Sequence, residues 1–283
     1  MKEIKNKTAV ITGAGSGIGR ALAIKCAQEG MKVVLADINE KSLERVKRKI
    51  QRARGEVLTI KTDVSKYNEV ENLAQKTIEN YKLIHLLINN AGVAIPRLAW
   101  QYTVNDWEWV LGVNLWGVIY GIRVFVPIML QQEIECHIVN TASIEGLGSI
   151  GPGGATYSVS KHGIVALSEV LKYNLEEIGA KINVSVLCPG LVDTKIFTSE
   201  LNRPKEYQIK EIKKIDIHDR DREVEMYRKI LTESPMISPE QVADDVFQAI
   251  RQQKFYILTH TQPIIKDLIK ERVNAILRAF DEQ

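Results

Sequence analysis

The sequence predicts a doubly wound α/β fold, in which helices cover both faces of a parallel sheet. The first observation is that short runs rich in β-branched residues alternate with longer helical segments, which is the order that crossover units between parallel strands require. The second is that these runs are apolar along their whole length, as expected of strands that are covered on both faces. Seven such runs occur, at residues 8–11, 32–36, 56–60, 85–89, 137–141, 181–187 and 255–258.

The helices between these runs have recognisable ends. Residues 40–54 carry a stripe of aliphatic side chains, and Gly55 follows at a position where a helix often ends. Gly30 has the corresponding place after the first helix. Residues 238–250 begin with an N-cap serine, a proline at the first helical position and a glutamine three residues after the serine. A last amphipathic helix is expected at 262–280, at the edge of the domain or on a partner subunit.

No linker or repeat divides the chain, so one domain is predicted for residues 1–283. Residues 200–233 differ in composition, because 18 of these 34 residues are charged. They are interpreted either as solvated surface helices or as a lid that covers a cleft, and we assign a lid-like insertion to about 196–237. The apolar stripe that would hold such a lid consists of Val224, Tyr227 and Leu231.

Charge and cysteine usage exclude several classes of protein. The chain has 38 basic and 35 acidic residues and a net charge of +3, which gives no special attraction to nucleic acid or to a membrane. Cys26, Cys136 and Cys188 are odd in number and widely separated, so we expect buried free thiols in a reducing, cytoplasmic compartment. Neither the cysteines nor the 5 histidines are spaced as metal ligands, and no metal site is predicted. The first residues run straight into a strand-like segment, so no secretory signal is expected.

One helical segment is apolar enough to suggest a membrane span. Residues 109–130 have the required length. Asn114 and Arg123 within the segment, and Pro127 near its end, argue against this interpretation. A helix that is apolar nearly all round is also typical of a buried or subunit-interface helix. We therefore predict a buried or interface helix and no membrane association.

A glycine-rich turn follows the first strand-like run. In TGAGSGIGR, residues 12–20, Gly13, Gly17 and Gly19 allow a tight turn and let the backbone approach a pyrophosphate. The N-terminus of the following helix would supply free N–H groups to that anion. The spacing is G-x-x-x-G-x-G rather than the common G-x-G-x-x-G, and a tight turn without a ligand is the alternative.

An acidic residue ends the second strand-like run. Asp37 lies about twenty residues beyond the glycine turn, where a carboxylate can accept hydrogen bonds from an adenosine ribose and repel a 2′-phosphate. The alternative is a helix cap. No Arg or Lys precedes Gly17 or directly follows Asp37, so NAD is preferred to NADP. Asp63, after the third run, is interpreted either as an adenine contact or as a cap or turn residue.

Taken together, the motifs resemble those of the short-chain dehydrogenases/reductases. They occur in that family's order and spacing over about residues 7–195. The resemblance implies a Rossmann fold with a seven-stranded parallel sheet, and an oxidoreductase activity that uses a nicotinamide dinucleotide. The motifs are TGAGSGIG (12–19), NNAG (89–92), Asn114 in the long helix, Ser143 in NTAS, YSVSK (157–161), and PG (189–190) followed by Thr194.

Tyr157 is the expected general acid or base. A phenol with a pKa of about 10 is a weak base at neutral pH, and Lys161, one helical turn away, is placed to lower the pKa of Tyr157 by stabilising the phenolate. Ser143 is expected to orient the substrate oxygen, although by itself it would indicate a strand-end cap. The resemblance implies that Lys161 also holds the nicotinamide ribose. It further implies that Asn114 supports a water chain from Lys161 to bulk solvent, a role that is compatible with a local backbone carbonyl as its partner.

The expected cofactor contacts run from the glycine turn to the end of the sixth strand. The resemblance implies that Pro189 and Gly190 border the nicotinamide, and that Thr194 and the backbone of Val192 bind its carboxamide. It places residues 89–92 on the adenosine side. The complete set of expected cofactor-binding residues is Gly13, Ser16, Gly17, Ile18, Gly19, Asp37, Asp63, Val64, Asn90, Ala91, Gly92, Tyr157, Lys161, Pro189, Gly190, Val192 and Thr194.

Glu145 departs from the family's pattern, which more often has a small neutral residue at this place. It is interpreted either as a pocket residue that binds a hydroxyl or amine of the substrate, or as a solvated loop residue. The other pocket candidates are largely apolar, which favours a hydrophobic or cyclic alcohol or ketone. They are Ala94, Ile95, Pro96, Leu147, Leu191 and Phe197.

The favoured function is an NAD-dependent oxidoreductase that acts on a secondary alcohol or the matching ketone. An NADPH-dependent carbonyl reductase of the same fold and a non-catalytic dinucleotide-sensing protein are the alternatives. A sugar-nucleotide epimerase fits less well, because only about ninety residues follow Pro189. The helix at 109–130 and the helix of Tyr157 look like interface elements, so a homodimer or homotetramer is expected.

Overall fold

The computed structural model describes residues 1, 3–148, 154–208, 233 and 235–282. Within these residues, seven strands form one parallel sheet in the order β3-β2-β1-β4-β5-β6-β7. All seven predicted runs are confirmed as strands, each to within one residue at either end. The strands are β1 (Thr8–Thr12), β2 (Lys32–Asp37), β3 (Val57–Lys61), β4 (Leu86–Asn89), β5 (Cys136–Thr141), β6 (Ile182–Cys188) and β7 (Tyr256–Leu258).

Helices connect the strands and cover both faces of the sheet. A turn of π-helix at Gly112–Trp116 joins the fourth helix to the fifth. The α-helices of the described residues are α1 (Gly17–Gln28), α2 (Glu40–Arg52), α3 (Tyr67–Tyr81), α4 (Val104–Leu111), α5 (Gly117–Gln131), α6 (Glu145–Gly148), α7 (Gly154–Glu177), α8 (Pro239–Gln252) and α9 (Pro263–Asp281).

The two faces of the sheet carry separate apolar clusters. In β1, Ala9 and Ile11 point into the cluster that includes Phe247 of α8, whereas Val10 points into the cluster that includes Phe125 of α5. Both phenylalanines are almost completely buried. Burying such a side chain contributes about 1.5–3 kcal/mol. The continuous apolar runs are therefore explained by burial on both sides, which confirms the predicted doubly wound class.

Two of the three predicted helix ends are confirmed. Ser238 accepts a hydrogen bond from the backbone N–H of Gln241, and Gly30 adopts a φ of +78° just after α1. The end assigned to Gly55 is wrong in detail, because the left-handed residue after α2 is Arg54, with a φ of +62°. Gly55 is required for space instead, since a Cβ there would lie 2.7 Å from Cγ2 of Ile50.

The strand order reverses at β1, which pairs with β2 on one side and with β4 on the other. After β1 the chain crosses to β2 on one side, and after β4 it crosses to β5 on the other side. The two connections therefore diverge at the carboxyl ends of β1 and β4, which opens a crevice between them. Thr12, the last residue of β1, spans this point. Its hydroxyl accepts hydrogen bonds from the backbone N–H groups of Asn90 at 2.9 Å and Ala91 at 3.2 Å.

A buried polar chain fixes α7 on the sheet. Asn89 of β4 donates to the side-chain oxygen of Asn140 of β5 at 2.9 Å, and Asn140 donates to the hydroxyl of Ser168 at 3.0 Å. Ser168 in turn donates to the carbonyl of Ile164 at 2.7 Å. All three polar side chains are buried, so these bonds constrain how α7 lies across β4 and β5.

The apolar helical stretch occupies the position of a core helix. Among the described residues, Val104–Gln131 has the length and composition of a possible membrane span, a property that core helices share. Phe125 and Met129 of this stretch are buried in the cluster beneath the sheet, while Trp116 is 48% exposed. The stretch is thus in part the buried helix that the sequence predicts, with an outer face that reaches the surface.

The predicted lid is described only at its beginning and end. Two short 3-10 segments, Ile196–Asn202 and Lys205–Tyr207, follow β6. Val224, Tyr227 and Leu231, the proposed stripe, lie outside the described residues. The three cysteines are buried and free, as the sequence predicts.

Candidate active site

A cavity of about 880 Å³ opens at the carboxyl ends of the strands. Its floor comes from the turns that follow the first six strands, β1 to β6, and its outer wall comes from the segment after Ile196. All but two of the predicted catalytic and cofactor-binding residues line it. The two that do not are Gly19 and Asn114.

The glycine turn forms one end of the cavity. Gly13 and Gly17 have φ values of +65° and +51°, and a Cβ at Gly13 would lie 2.8 Å from Cα of Ala91. Gly19 lies beneath the turn, where a Cβ would collide with the carbonyl oxygen of Gly13. Gly19 therefore allows close packing of α1 against the turn, and its contact with a cofactor stays a prediction. Ser16 caps α1 without a side-chain hydrogen bond, which leaves the first N–H groups of the helix available to an anion.

Asp37 faces the cavity rather than capping a helix. Its carboxylate accepts hydrogen bonds from the backbone N–H of Gly15 and of Asn39, both at 2.9 Å. The N-cap of α2 is Asn39, which accepts from Ser42, so the capping alternative for Asp37 is wrong. Burial raises the pKa of Asp37 above its ordinary value, although the hydrogen bonds from Asn39 and Gly15 offset part of this effect.

Asp63 has the turn role that was one of its two interpretations. Its carboxylate accepts from the backbone N–H of Ser65 at 3.0 Å and from the hydroxyl of Ser65 at 2.7 Å, which is a turn role. The same residue lines the cavity next to Val64. An adenine contact thus stays a prediction.

Two basic residues at this end of the cavity were not found from the sequence. Arg45 and Lys49 lie on α2 and line the cavity near Asp37, and Arg45 donates to the hydroxyl of Ser42 at 2.8 Å. Neither residue directly follows Asp37, where a basic side chain could hold a phosphate. The missed signal is helical spacing, since residues 45 and 49 are four apart on one face of the helix that follows Asp37.

Tyr157 and Lys161 lie on one face of α7, as their spacing predicts. The ammonium of Lys161 is 5.3 Å from the centre of the Tyr157 ring and donates to the carbonyl of Thr141 at 2.8 Å. Lys161 is only 3% exposed. Burial disfavours its charged form and lowers the pKa of Lys161 to about 8.

The pKa of Tyr157 lies above its ordinary value, so the predicted net lowering is wrong for this structure. Burial is the main cause of the raised pKa of Tyr157, and the carboxylate of Glu145 adds to it. The hydrogen bond with Ser143 acts in the opposite direction. The physical reason is that an enclosed phenolate loses its hydration and lies close to a second negative group.

Ser143 lies at the end of β5, opposite Tyr157. Its hydroxyl donates to the carbonyl of Pro189 at 3.4 Å and accepts from the backbone N–H of Glu145 at 3.2 Å. Both partners belong to turns that line the cavity. The hydroxyl is thus held where two turns meet, and it faces the space beside Tyr157.

Asn114 lies within the π-helical turn, one layer behind the cavity wall. Its amide group accepts from the backbone N–H of Val93 at 2.8 Å and donates to the carbonyl of Val93 at 3.0 Å. It also donates to Ser160 at 3.1 Å. The partner is therefore a backbone carbonyl, but one in a distant loop rather than in the same helix. A Cβ on Gly92 would lie 3.5 Å from Asn114 Oδ1 and 3.7 Å from Lys161 Nζ, so the two side chains flank Gly92.

Glu145 is a cavity residue, and the solvated-loop alternative is wrong. Its side chain is 6% exposed and accepts a hydrogen bond from the hydroxyl of Ser158 at 3.0 Å. It lines the cavity together with Ser143 and Tyr157. This end of the cavity therefore holds a buried carboxylate as well as the phenol and the ammonium.

The substrate side of the cavity is largely apolar, although its residues differ from those predicted. Ala94, Leu191 and Phe197 line it, whereas Ile95, Pro96 and Leu147 do not. Ile95 packs with Trp109 and Val110, and Leu147 packs against the cluster around Ile164. Residues that the sequence did not indicate complete the wall; they are Val93, Trp109, Val113, Ile196 and Leu201.

A buried charge network fastens the outer wall. Arg203 donates to Asp106 at 2.6 Å and to Glu200 at 3.0 Å, and its guanidinium lies 4.7 Å from the centre of the Trp109 ring. Arg97 contacts the same two carboxylates at 3.5 Å and 3.3 Å. Burial acts to raise the pKa of Asp106, but the hydrogen bonds from Thr103 and Arg203 outweigh it and hold that pKa below its ordinary value.

Among the described residues, no group of three or more His, Cys, Asp or Glu side chains could hold a metal ion. The cavity presents a phenol, an ammonium, a hydroxyl and a carboxylate group, at Tyr157, Lys161, Ser143 and Glu145.

The chain is similar to known proteins over nearly its whole length. A family model described as short chain dehydrogenase matches residues 7–205. The CLA biosynthesis dehydrogenase/reductase of Lactiplantibacillus plantarum is 36% identical over 96% of this chain and 95% of its own. The 1-deoxy-11-beta-hydroxypentalenate dehydrogenase of Streptomyces avermitilis is 32% identical over 91% of this chain and 86% of its own. The crystal structure of a short chain dehydrogenase/reductase from Burkholderia phymatum in complex with NAD has a TM-score of 0.90 and 42% identity, and covers 99% of this chain and 97% of its own.

The charge network leads to a prediction about stability. Asp106→Asn keeps the shape of the side chain but leaves Arg97 and Arg203 without their buried counter-charge. We expect the free energy of unfolding, measured by urea titration, to fall by about 3–5 kcal/mol. Glu200→Gln removes a half-exposed carboxylate from the same two arginines and should cost less than about 1 kcal/mol. Equal losses in the two variants would contradict the central role of Asp106.

Proposed function

The chain belongs to the short-chain dehydrogenase/reductase family, and we propose that it transfers a hydride between NAD(H) and a secondary alcohol or the matching ketone. The observation that carries the proposal is the convergence of Ser143, Tyr157 and Lys161 on one cavity that also contains the glycine turn. A regulatory protein that only senses a dinucleotide would not need a buried phenol, ammonium and hydroxyl in this arrangement. The enzyme interpretation is therefore preferred to the non-catalytic one.

The residues of the cavity fit a nicotinamide dinucleotide. Gly13 and Gly17 both have positive φ values, which shape a tight turn that lines the cavity, and the N-terminus of α1 follows this turn. A bound dinucleotide would supply the hydride acceptor for oxidation or the hydride donor for reduction. The chain would hold its pyrophosphate at the turn, its adenosine ribose at Asp37 and its nicotinamide ribose at Lys161.

The proton chemistry is assigned to Tyr157. During reduction, the phenol donates its proton to the substrate oxygen. The hydroxyl of Ser143 turns its one hydrogen from the carbonyl of Pro189 to that oxygen and fixes its position. During oxidation, the same oxygen atom of Tyr157 accepts the proton. When Tyr157 has given up its proton, the ammonium of Lys161 stabilises the negative charge of the phenolate, because it lies next to the ring. The raised pKa of Tyr157 keeps the phenol protonated at neutral pH, which suits its role as the acid of a reductase.

NAD is proposed rather than NADP because the Asp37 carboxylate would repel a 2′-phosphate. The NAD complex of the Burkholderia phymatum protein supports this choice. Arg45 and Lys49 favour the second candidate, an NADPH-dependent carbonyl reductase, because they bring positive charge to the same end of the cavity. Asp37 is closer to the glycine turn than either of them, since it accepts directly from Gly15.

The substrate is proposed to be largely apolar. Trp109, Val113, Leu191, Phe197 and Leu201 form the wall beyond the catalytic groups. The two named relatives act in CLA biosynthesis and on 1-deoxy-11-beta-hydroxypentalenate, and their similarity is consistent with such a wall. A homodimer or homotetramer and a cytoplasmic location are part of the same proposal, and gel filtration of the purified protein tests the assembly.

Replacing the phenol tests the catalytic assignment. In Tyr157→Phe, turnover of a secondary alcohol with NAD should fall by about 10²–10⁴-fold, because the proton acceptor is lost. NADH binding, measured by fluorescence titration, should remain nearly unchanged. Tyr173→Phe, at an exposed position of the same helix, is the matched control. Turnover retained in Tyr157→Phe would refute the role of the phenol.

Removing the acidic group tests the choice of cofactor. Asp37→Ala should raise the affinity for NADP relative to NAD by about tenfold or more, which corresponds to 1.4 kcal/mol of relieved repulsion. The measurement is a pair of fluorescence titrations with NADH and NADPH. Glu40→Ala serves as the control, since this carboxylate lies three residues away and is 68% exposed. An unchanged ratio in Asp37→Ala would count against the ribose contact.

The carboxylate of Glu145 predicts a shift in the pH profile. It disfavours the phenolate and so raises the pKa of Tyr157, which means that Glu145→Gln should lower that pKa. Alcohol oxidation needs the deprotonated phenol, so the rise of kcat/KM with pH should move to lower pH in the variant. Glu177→Gln, an exposed carboxylate at the end of α7, should leave the profile in place. A shift to higher pH in Glu145→Gln would show that the carboxylate acts in another way.

A further inference from the structure

The peptide unit between Pro189 and Gly190 joins Ser143 to a buried histidine. Its carbonyl oxygen accepts from the hydroxyl of Ser143 at 3.4 Å and from the backbone N–H of Ile144 at 3.0 Å. Its N–H donates to Nδ1 of His260 at 3.2 Å. Because a peptide unit is planar and stiff, tilting it to break one of these bonds disturbs the others.

The position of His260 follows from the pairing of the last two strands. Cys188 of β6 is in register with Leu258 of β7, so the residues two further along, Gly190 and His260, are neighbours beyond the strand ends. A Cβ on Gly190 would lie 2.7 Å from Cγ of His260 and 2.8 Å from its Nδ1. The imidazole thus packs directly on the Gly190 backbone, and it is only 1% exposed.

The hydrogen bond defines the protonation of the ring. A backbone N–H can only donate, so Nδ1 of His260 must accept and carries no proton. The hydroxyl of Thr259 lies 2.8 Å from the same nitrogen. Burial lowers the pKa of His260 below its ordinary value, and the backbone of Pro235 and Leu191 offsets part of this effect. The neutral ring is therefore the form that the site favours.

The turn at residues 189–194, which His260 contacts at Gly190, is also held at Leu191 and Asp193 by the backbone of Ile237. Ile237 donates to the carbonyl of Leu191 and accepts from the N–H of Asp193, both at 3.0 Å. Between these two supports, residues 189–194 line the cavity, and the methyl group of Thr194 lies 3.1 Å from the place of a Cβ on Gly17. The turn therefore extends from Ser143 to the glycine turn, and His260 supports the end next to Ser143.

We propose that His260 is a positioning residue, which sets the orientation of the Pro189–Gly190 peptide and, through it, the hydroxyl of Ser143 and the cavity face of the turn. This inference rests on the proposed function for its catalytic consequence. The geometric part, that His260 holds the peptide in place, stands independently of any reaction.

Three variants separate the hydrogen bond from the packing. His260→Asn places an amide oxygen near the position of Nδ1, so it retains the acceptor but loses the ring. His260→Phe retains the ring but loses the acceptor, and His260→Leu loses the acceptor in a smaller side chain should the phenylalanine not fold. Thermal unfolding of each variant measures how much the packing contributes.

We expect kcat for alcohol oxidation to fall by about 10–100-fold in His260→Phe or His260→Leu, and to recover most of its value in His260→Asn. A purely structural role predicts that activity follows thermal stability, and that pattern would overturn the proposal. In a Ser143→Ala background, His260→Phe should have little further effect on kcat, because the hydroxyl that it positions is already absent. Fully additive losses would contradict action through Ser143.

Hydrogen exchange tests the geometry without added cofactor or substrate. Mass spectrometry should show that the amides of residues 186–194 and 142–146 exchange about tenfold faster in His260→Phe than in the wild type. His260→Asn should restore their protection. Unchanged exchange in His260→Phe would overturn the proposal. If these exchange effects appear in a protein that binds neither NADH nor NADPH, the proposed function fails while the positioning role survives.

Discussion

The carboxyl edge of a parallel sheet leaves backbone groups without strand partners, and the candidate active site is built from the side chains that satisfy them. Thr12 receives the N–H groups of the turn after β4. Lys161 donates to the last carbonyl of β5, and Ser143 donates to the carbonyl that follows β6. His260 accepts from the next N–H along. The polar groups proposed for catalysis are thus also the groups that allow the strands to end inside the protein.

The features that the sequence could predict are those that depend on local patterns of burial and spacing. The strands were predictable to within one residue because burial on both faces requires uninterrupted apolar runs. Tyr157 and Lys161 were predictable because helical spacing places them on one face. The distant partners of Asn114 and Asp106 were not, since they depend on how loops and helices meet in space. For the same reason, the sequence suggested that Lys161 lowers the pKa of Tyr157, while enclosure and Glu145 raise it in the folded protein.

The charges inside the cavity oppose each other. Lys161 favours a phenolate at Tyr157, and Glu145 opposes it, yet both are buried at the same end. Glu145 acts to raise the pKa of Lys161, so the carboxylate favours the ammonium and partly offsets the cost of burying it. Because Glu145 raises the pKa of Tyr157 without taking part in the proposed proton transfer, a substitution of Glu145 can change that pKa and leave the proton-transferring groups in place. A change at Glu145 should therefore move the pH range in which Tyr157 can accept a proton.

The two walls of the cavity are supported by different forces, and this has a consequence for how they can change. The wall at residues 189–194 is held by backbone hydrogen bonds to Ile237 and His260, which do not depend on the identity of the side chains that face the cavity. The outer wall after Ile196 is held by Arg203 on Asp106 and Trp109, so it depends on particular charged side chains. Substitutions within the cavity-facing residues of the first wall should therefore alter ligand contacts while the wall keeps its shape. Loss of a charge from the second wall should alter the shape itself, and with it the apolar space into which a substrate fits.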